Sequence, residues 1–169
     1  MANLKAIMGF ESINFLDTTP KTGEHTWALM NKGIESGAVA YNAETDERHY
    51  IADKNATATV KAFARALDIT QYAYKGDATF EFIDDLFYNE AIGGDAQTNL
   101  LQVFLYKAED KTTDIPAKLT PVTVELGEHG VEGGEQLALS YNILFTGDST
   151  NGTVKITDGA PVFTPTPIV

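Results

Sequence analysis

From residue 57 to residue 74 the side chains sort by parity for eighteen residues, with Lys61, Phe63, Arg65, Leu67 and Ile69 on one side and Ala58, Val60, Ala62, Ala64 and Ala66 on the other. A period of two is the signature of a strand. Ordinary strands hold about 5–6 residues, whereas this one would reach about 60 Å, so part of it should project, bend or pair with a neighbour. Ala56, Val60, Phe63, Ala64 and Leu67 also recur at helical spacing, and alanine is the strongest helix former. Against a helix stand Thr57, Thr59 and Thr70, the branched Val60 and Ile69, and the closing Tyr72 and Tyr74, all suited to a pleated surface.

A helix is expected next, over about residues 78–92. Asp77 suits the N-cap and Gly93-Gly94 a stop, while Glu81, Asp84 and Asp85 favour the start of the helix dipole. Phe80, Phe82, Ile83, Leu86, Phe87 and Ala91 spread over more than half the circumference, leaving Glu81, Asp85 and Asn89 as a narrow polar stripe. One sheet cannot cover so wide an apolar arc. A loop or another subunit is expected against the remainder.

The rest reads as strands: 27–30, 38–41, 48–51, 100–107, 121–126, 136–146 and 153–157, each bounded by Gly, Pro, Asp or Asn. Residues 44–47, Glu-Thr-Asp-Glu, read as a turn, and 147–152 as a six-residue hairpin connection. Leu137, Leu139, Tyr141, Ile143 and Phe145 make one strongly apolar strand face that belongs in a core. The expected fold is mainly β, a β-sandwich or partial barrel with one flanking helix and a long projecting β-hairpin. It divides into a domain over 1–158 and an extended Pro-rich arm over 159–169. Pro161, Pro165 and Pro167 favour extension there, and the apolar Val162, Phe163, Ile168 and Val169 suit docking on a neighbouring copy as well as a free tail.

At 169 residues one domain can bury a sizeable core without staples. The chain has no cysteine, which removes thiolate catalysis, iron–sulfur ligation and cysteine zinc sites. Twenty-four acids against twelve Lys and Arg give a net charge of −12, which keeps copies apart and repels phosphate backbones. No secretory signal is recognised and no run of about 18 apolar residues occurs, so no membrane partner is expected.

Catalytic readings fail on geometry. His25, His49 and His129 are scattered among charged and turn residues, away from any metal-ligand spacing. Asp84 and Asp85 are adjacent on the helix and diverge by about 100°, while Glu132 and Glu135 flank Gly133-Gly134 in a flexible turn unsuited to holding a carboxyl with a raised pKa. The glycines at 127, 130, 133 and 134 open no helix and sit among glutamates, which would repel a phosphate. No catalytic, cofactor or metal residue is nominated, and no cofactor is expected.

In order and spacing, residues 41–46 (Tyr-Asn-Ala-Glu-Thr-Asp), 50–53 (Tyr-Ile-Ala-Asp), 73–77 (Ala-Tyr-Lys-Gly-Asp) and 80–87 (Phe-Glu-Phe-Ile-Asp-Asp-Leu-Phe) resemble the major tail protein, or tail tube protein, of long-tailed phages of Gram-positive bacteria, especially the lactococcal version. The resemblance spans about residues 33–107. It implies a non-enzymatic structural subunit, made in the host cytoplasm and carried in the virion tail. Six copies would close into a ring, with rings stacking into a hollow tube that DNA passes without specific binding. It also implies tape-measure, distal tail and tail-terminator proteins as partners. Expected inter-subunit contacts are Phe63, Arg65, Leu67, Ile69, Phe82, Leu86, Phe163 and Ile168. The alternative is a β-sandwich adhesin or carbohydrate-binding module at a virion surface, with Trp27, Tyr72, Tyr74 or Tyr88 as its platform.

Overall fold

The computed structural model describes residues 5–130 and 132–167. Its elements are β1 (Ser12–Asp17), β2 (Trp27–Leu29), β3 (Val39–Ala40), β4 (Ala43–Arg48), β5 (Thr57–Phe63), β6 (Ala66–Tyr72), α1 (Ala78–Tyr88), β7 (Gln97–Phe104), β8 (Ile115–Gly130), β9 (Ala138–Phe145), β10 (Thr150–Thr157) and β11 (Ala160–Pro165). Nine strands form one antiparallel sheet along the path β2-β1-β7-β8-β9-β6-β3, with β10 on β8 and β11 on β10. The remaining two, β4 and β5, pair only with each other. The chain is mainly β with one flanking helix and a separate hairpin, as its patterning implies.

The sixteen-residue β8 organises the sheet. One of its edges receives β7 along 117–123; the other receives β10 along 115–119 and then β9 along 122–130. Two strands thus take turns on one edge, so the sheet divides into two layers about a shared strand. One core lies under α1, where Phe80, Ile83 and Leu86 pack with Leu67, Ile69, Leu100, Val122, Tyr141 and Ile143. A second core gathers Phe15, Leu101, Val103, Ile115 and Val154. Full burial of each such side chain contributes about 1.5–3 kcal/mol.

The strand expected over 57–74 is two seven-residue strands in different sheets, broken at Ala64 and Arg65. Arg65 causes the break by facing its own sheet: its guanidinium lies 4.6 Å over the Phe145 ring and reaches the Ser149 hydroxyl at 3.1 Å, while its carbonyl accepts from Phe145 N. Beyond it, β6 alternates buried and exposed residues, whereas no residue of β5 is buried.

Three other sequence expectations need correction. Residues 44–47 are strand, because a solvated two-stranded ribbon needs no apolar face to pair. The 147–152 connection does not fold β10 back on β9, whose two edges are already held by β8 and β6; the chain crosses to β8 instead. The helix stops at Tyr88, one turn early. Glu90 takes φ 48°, its N–H bonds Phe87 O at 3.1 Å, and Ala91 N bonds Leu86 O at 3.0 Å, which is the Schellman closure made before the glycines are reached. The start is as expected: Asp77 Oδ2 accepts from Phe80 N at 2.9 Å.

Polar ties position these layers. Gln71, fully buried on β6, accepts from the Tyr141 hydroxyl (2.9 Å) and donates to Asp77 Oδ2 (2.9 Å) and Lys32 O (3.2 Å). Burial, and then the nearby Asp77 carboxylate, push the Tyr141 hydroxyl above its ordinary pKa, so it stays a neutral donor. Gly33 lets the 30–37 linker pass close by: it has φ 71°, and a Cβ there would lie 2.3 Å from Tyr72 O. The fully buried Asp17 binds His25 Nδ1 (2.7 Å), Asn99 Nδ2 (3.2 Å), and the amides of Thr19 (3.0 Å) and Thr26 (3.2 Å).

Glu11 pins the segment before β1. Lys111 Nζ at 2.8 Å and Met8 N at 3.1 Å hold its carboxyl below its ordinary value of 4.5. A depressed folded pKa stabilises above the unfolded value, and that contribution is lost as pH falls through the folded one. Acidification below 4.5 is therefore expected to lower the protection of the Met8 amide relative to its intrinsic exchange rate. The Glu11→Gln variant should show low protection across the whole titration, and NMR exchange rates divided by the intrinsic rate at each pH check both.

Candidate assembly surface

The β4–β5 hairpin is built to be fixed at its root and free elsewhere. At the root, Asn42 takes φ 41°, its carbonyl accepts from Ala64 N at 3.2 Å, and its side-chain amide donates to Ala64 O at 3.0 Å. Tyr41 meets Phe63 edge-to-face at 5.5 Å. A register shift between Glu44 and Thr45 bulges the ribbon near Lys61. Asp46 accepts from Arg48 Nε at 3.1 Å and lies 3.6 Å from Lys61 Nζ, surface pairs contributing about 0–1 kcal/mol each.

Beyond these the ribbon is unsupported. Tyr41, Tyr50, Ile51, Val60 and Phe63 are all exposed, Ile51 almost completely at 98%. An isolated two-stranded hairpin is marginal in water. Both outer edges carry unpaired backbone groups, and no proline interrupts the chain between Pro20 and Pro116, so every donor on those edges is present. Charge singles the hairpin out as well. Between residues 41 and 65, Glu44, Asp46, Glu47 and Asp53 balance Arg48, Lys54, Lys61 and Arg65, so the whole −12 resides on the rest of the chain. A ribbon of zero net charge is the part of an acidic body that approaches another copy with least repulsion.

A second apolar surface flanks the end of α1. Tyr88 is 87% and Ile92 81% exposed. A groove of about 650 Å³ runs between Phe87, Ala91 and Ile92 on one side and Leu126 and Leu144 on the other. A groove of about 580 Å³ lies between the 18–22 loop and Phe82, Leu86 and Ala91. Its rim is closed by the Lys21–Asp95 ion pair, which holds the Asp95 carboxyl below its ordinary pKa. The polar stripe of Glu81, Asp85 and Asn89 is exposed throughout.

These surfaces collect some of the residues nominated from sequence and not others. Phe63 is exposed on the hairpin, and Phe82 is half-buried at the groove beside α1. Arg65 anchors the hairpin root. Leu67, Ile69 and Leu86 are buried in their own chain's core, with Leu86 also lining the groove beside α1. Phe163 packs over Gly152, where a Cβ would lie 2.6 Å from its ring. Ile168 lies outside the described residues. Tyr50 and Ile51 on the hairpin loop and Ile92 beside the helix were missed, and Tyr88 was named only as a platform of the alternative reading, because exposure of an apolar side chain leaves no mark on local sequence pattern. Trp27 lies against His25 (5.0 Å), and no ring contact among the described residues joins two of Trp27, Tyr72, Tyr74 and Tyr88.

No family model matches the chain, and no curated protein sequence does. Solved structures do. The SPP1 tail tube superposes with a TM-score of 0.61 at 18% identity, over 88% of this chain and 80% of that one. This chain has the fold of a tail tube protein. The tail of an empty GTA particle, refined with C6 symmetry, matches with a TM-score of 0.58 at 13% identity, covering 86% of this chain and 98% of that one. The tube-terminating cap of the anti-feeding prophage matches at 0.52 and 11% identity, over 90% and 95%.

Proposed function

We propose that the chain is a non-enzymatic structural subunit of a phage tail tube, six copies closing into a ring and rings stacking into a hollow conduit for DNA. The observation that carries this reading is the solvent-exposed, donor-complete, charge-neutral hairpin hung from a tail-tube fold. Such an edge is a liability for a solitary protein and a joint for one that assembles with itself. The C6 symmetry of the GTA tail supports six copies. The likeness to a tube-terminating cap supports partners that close the tube's end, and tape-measure and distal tail proteins complete the expected set. The four motif segments within 33–107 carry the narrower affiliation to phages of Gram-positive bacteria, and with it location in the virion.

On this reading Phe63, with Tyr41 beside it, and Phe82, together with the exposed Tyr88 and Ile92, meet neighbouring copies, while Leu67, Ile69 and Leu86 hold the subunit itself together. The net charge of −12 makes the wall repel DNA, which suits passage better than binding. Sedimentation velocity over a concentration series tests the proposal. Rings and multiples of rings should replace the monomer as concentration rises. A single monomeric boundary up to the solubility limit would contradict it.

A further inference from the structure

The sheet has another long free edge, the outer side of β11, and its backbone chemistry is opposite to that of the hairpin. Asp158 (φ 50°) and Gly159 (φ 81°) form a two-residue turn with both central residues left-handed, so the closing pair Thr157 and Ala160 exchange hydrogen bonds. In an antiparallel ladder the inward-facing positions then alternate: 160, 162, 164 and 166 point toward β10. The Thr166 N to Asn151 O bond, 2.9 Å, confirms the parity at the far end. Positions 161, 163, 165 and 167 therefore face away, and three of those four are proline. Half of the chain's six prolines stand on this one outward register. Only Phe163 can offer an N–H to an approaching strand.

We propose that β11 is a sealed edge, closed by Pro161, Pro165 and Pro167 against strand addition by a second copy, in contrast to the open hairpin. A proline at an outward position leaves the intrachain ladder intact, because the missing N–H had no partner there. The same residue denies an incoming strand its acceptor's match and sets a ring where that strand must lie. The inference stands on the backbone register of β10 and β11 and does not require the assembly to be a tube.

The test is cross-linking in variants that open the edge. Pro165 and Pro167 are exposed, so Pro165→Thr with Pro167→Thr restores outward donors at 165 and 167, next in register after that of Phe163, without emptying the core. The chain has no cysteine, so Thr164→Cys, exposed on β11, supplies the only thiol for a short bismaleimide. Below the concentration at which the native chain assembles, cross-linked dimer should rise roughly tenfold to hundredfold in the opened background, the equivalent of two regained ladder bonds. Equal cross-linking in the two backgrounds would overturn the proposal. Thermal melts guard against misfolding: the opened variant should melt as the parent does, while Thr164→Pro, on the inward parity, should free β11 and lower the midpoint. Equal tolerance of proline at both parities would overturn the register on which the inference rests.

Discussion

Replacing residues 43–63 with an Asn-Gly turn is expected to abolish assembly while leaving the subunit folded. The excision is clean because the root is already closed: Ala64 N and Asn42 O are 3.2 Å apart, so a two-residue turn can join them. Nothing in β5 is buried, and in β4 only Asp46 is even half-buried, so the two cores lose no apolar contact. The circular dichroism spectrum should keep its β character, and the melting temperature should shift by no more than about 4 °C, the equivalent of about 1 kcal/mol. Electron microscopy should show rings and tubes for the native chain and dispersed particles for the variant. Tubes of native appearance from the shortened chain would remove the hairpin from the account.

The largest stability effect is expected at Gln71. Gln71→Leu fits the space but strands the Tyr141 hydroxyl in a desolvated site and takes a donor from the carboxylate that caps α1. Each buried polar group left without its partner costs about 1–3 kcal/mol. A loss of about 2–5 kcal/mol follows, which lowers the melting temperature by roughly 5–15 °C for a chain of this size. Adding Tyr141→Phe to Gln71→Leu should recover part of the loss, since it removes the stranded hydroxyl. Additive losses in the double variant would mean that the two side chains do not act as one network.

How much of this was legible beforehand depends on how local the deciding interaction is. The start of α1 is written in Asp77 itself, because the cap bond spans three residues. The alternation through 57–74 announces strand, but the break at Arg65 depends on Phe145 and Ser149, eighty or more residues on, and on nothing nearby. Residues 44–47 look like a turn because their acids have no apolar face, a cue that fails for a ribbon solvated on both sides. The end of α1 went unseen for a related reason. Glu90 adopts the left-handed conformation usually left to glycine, held by the Schellman bonds it completes. Asp17 left no signal either, since its partners His25 and Asn99 converge on it only once β1, the following loop and β7 are in place.

The assembly surface was half legible. Phe63 lies in the segment too long for one strand, and that excess length is the hairpin. Leu67 and Ile69 continue the same parity, yet they sit past the break on a strand with sheet neighbours on both sides, and there the pattern means core. What separates the two halves is the partner each strand finds, which the one-dimensional pattern does not contain.

The most direct measurement is a three-dimensional reconstruction of whatever the purified chain forms at high concentration. The account predicts a hollow tube of stacked six-copy rings in which residues 41–63 of each copy lie against a neighbour and the outer edge of β11 does not. Particles in which the hairpin remains solvent-exposed on a lone subunit would contradict it.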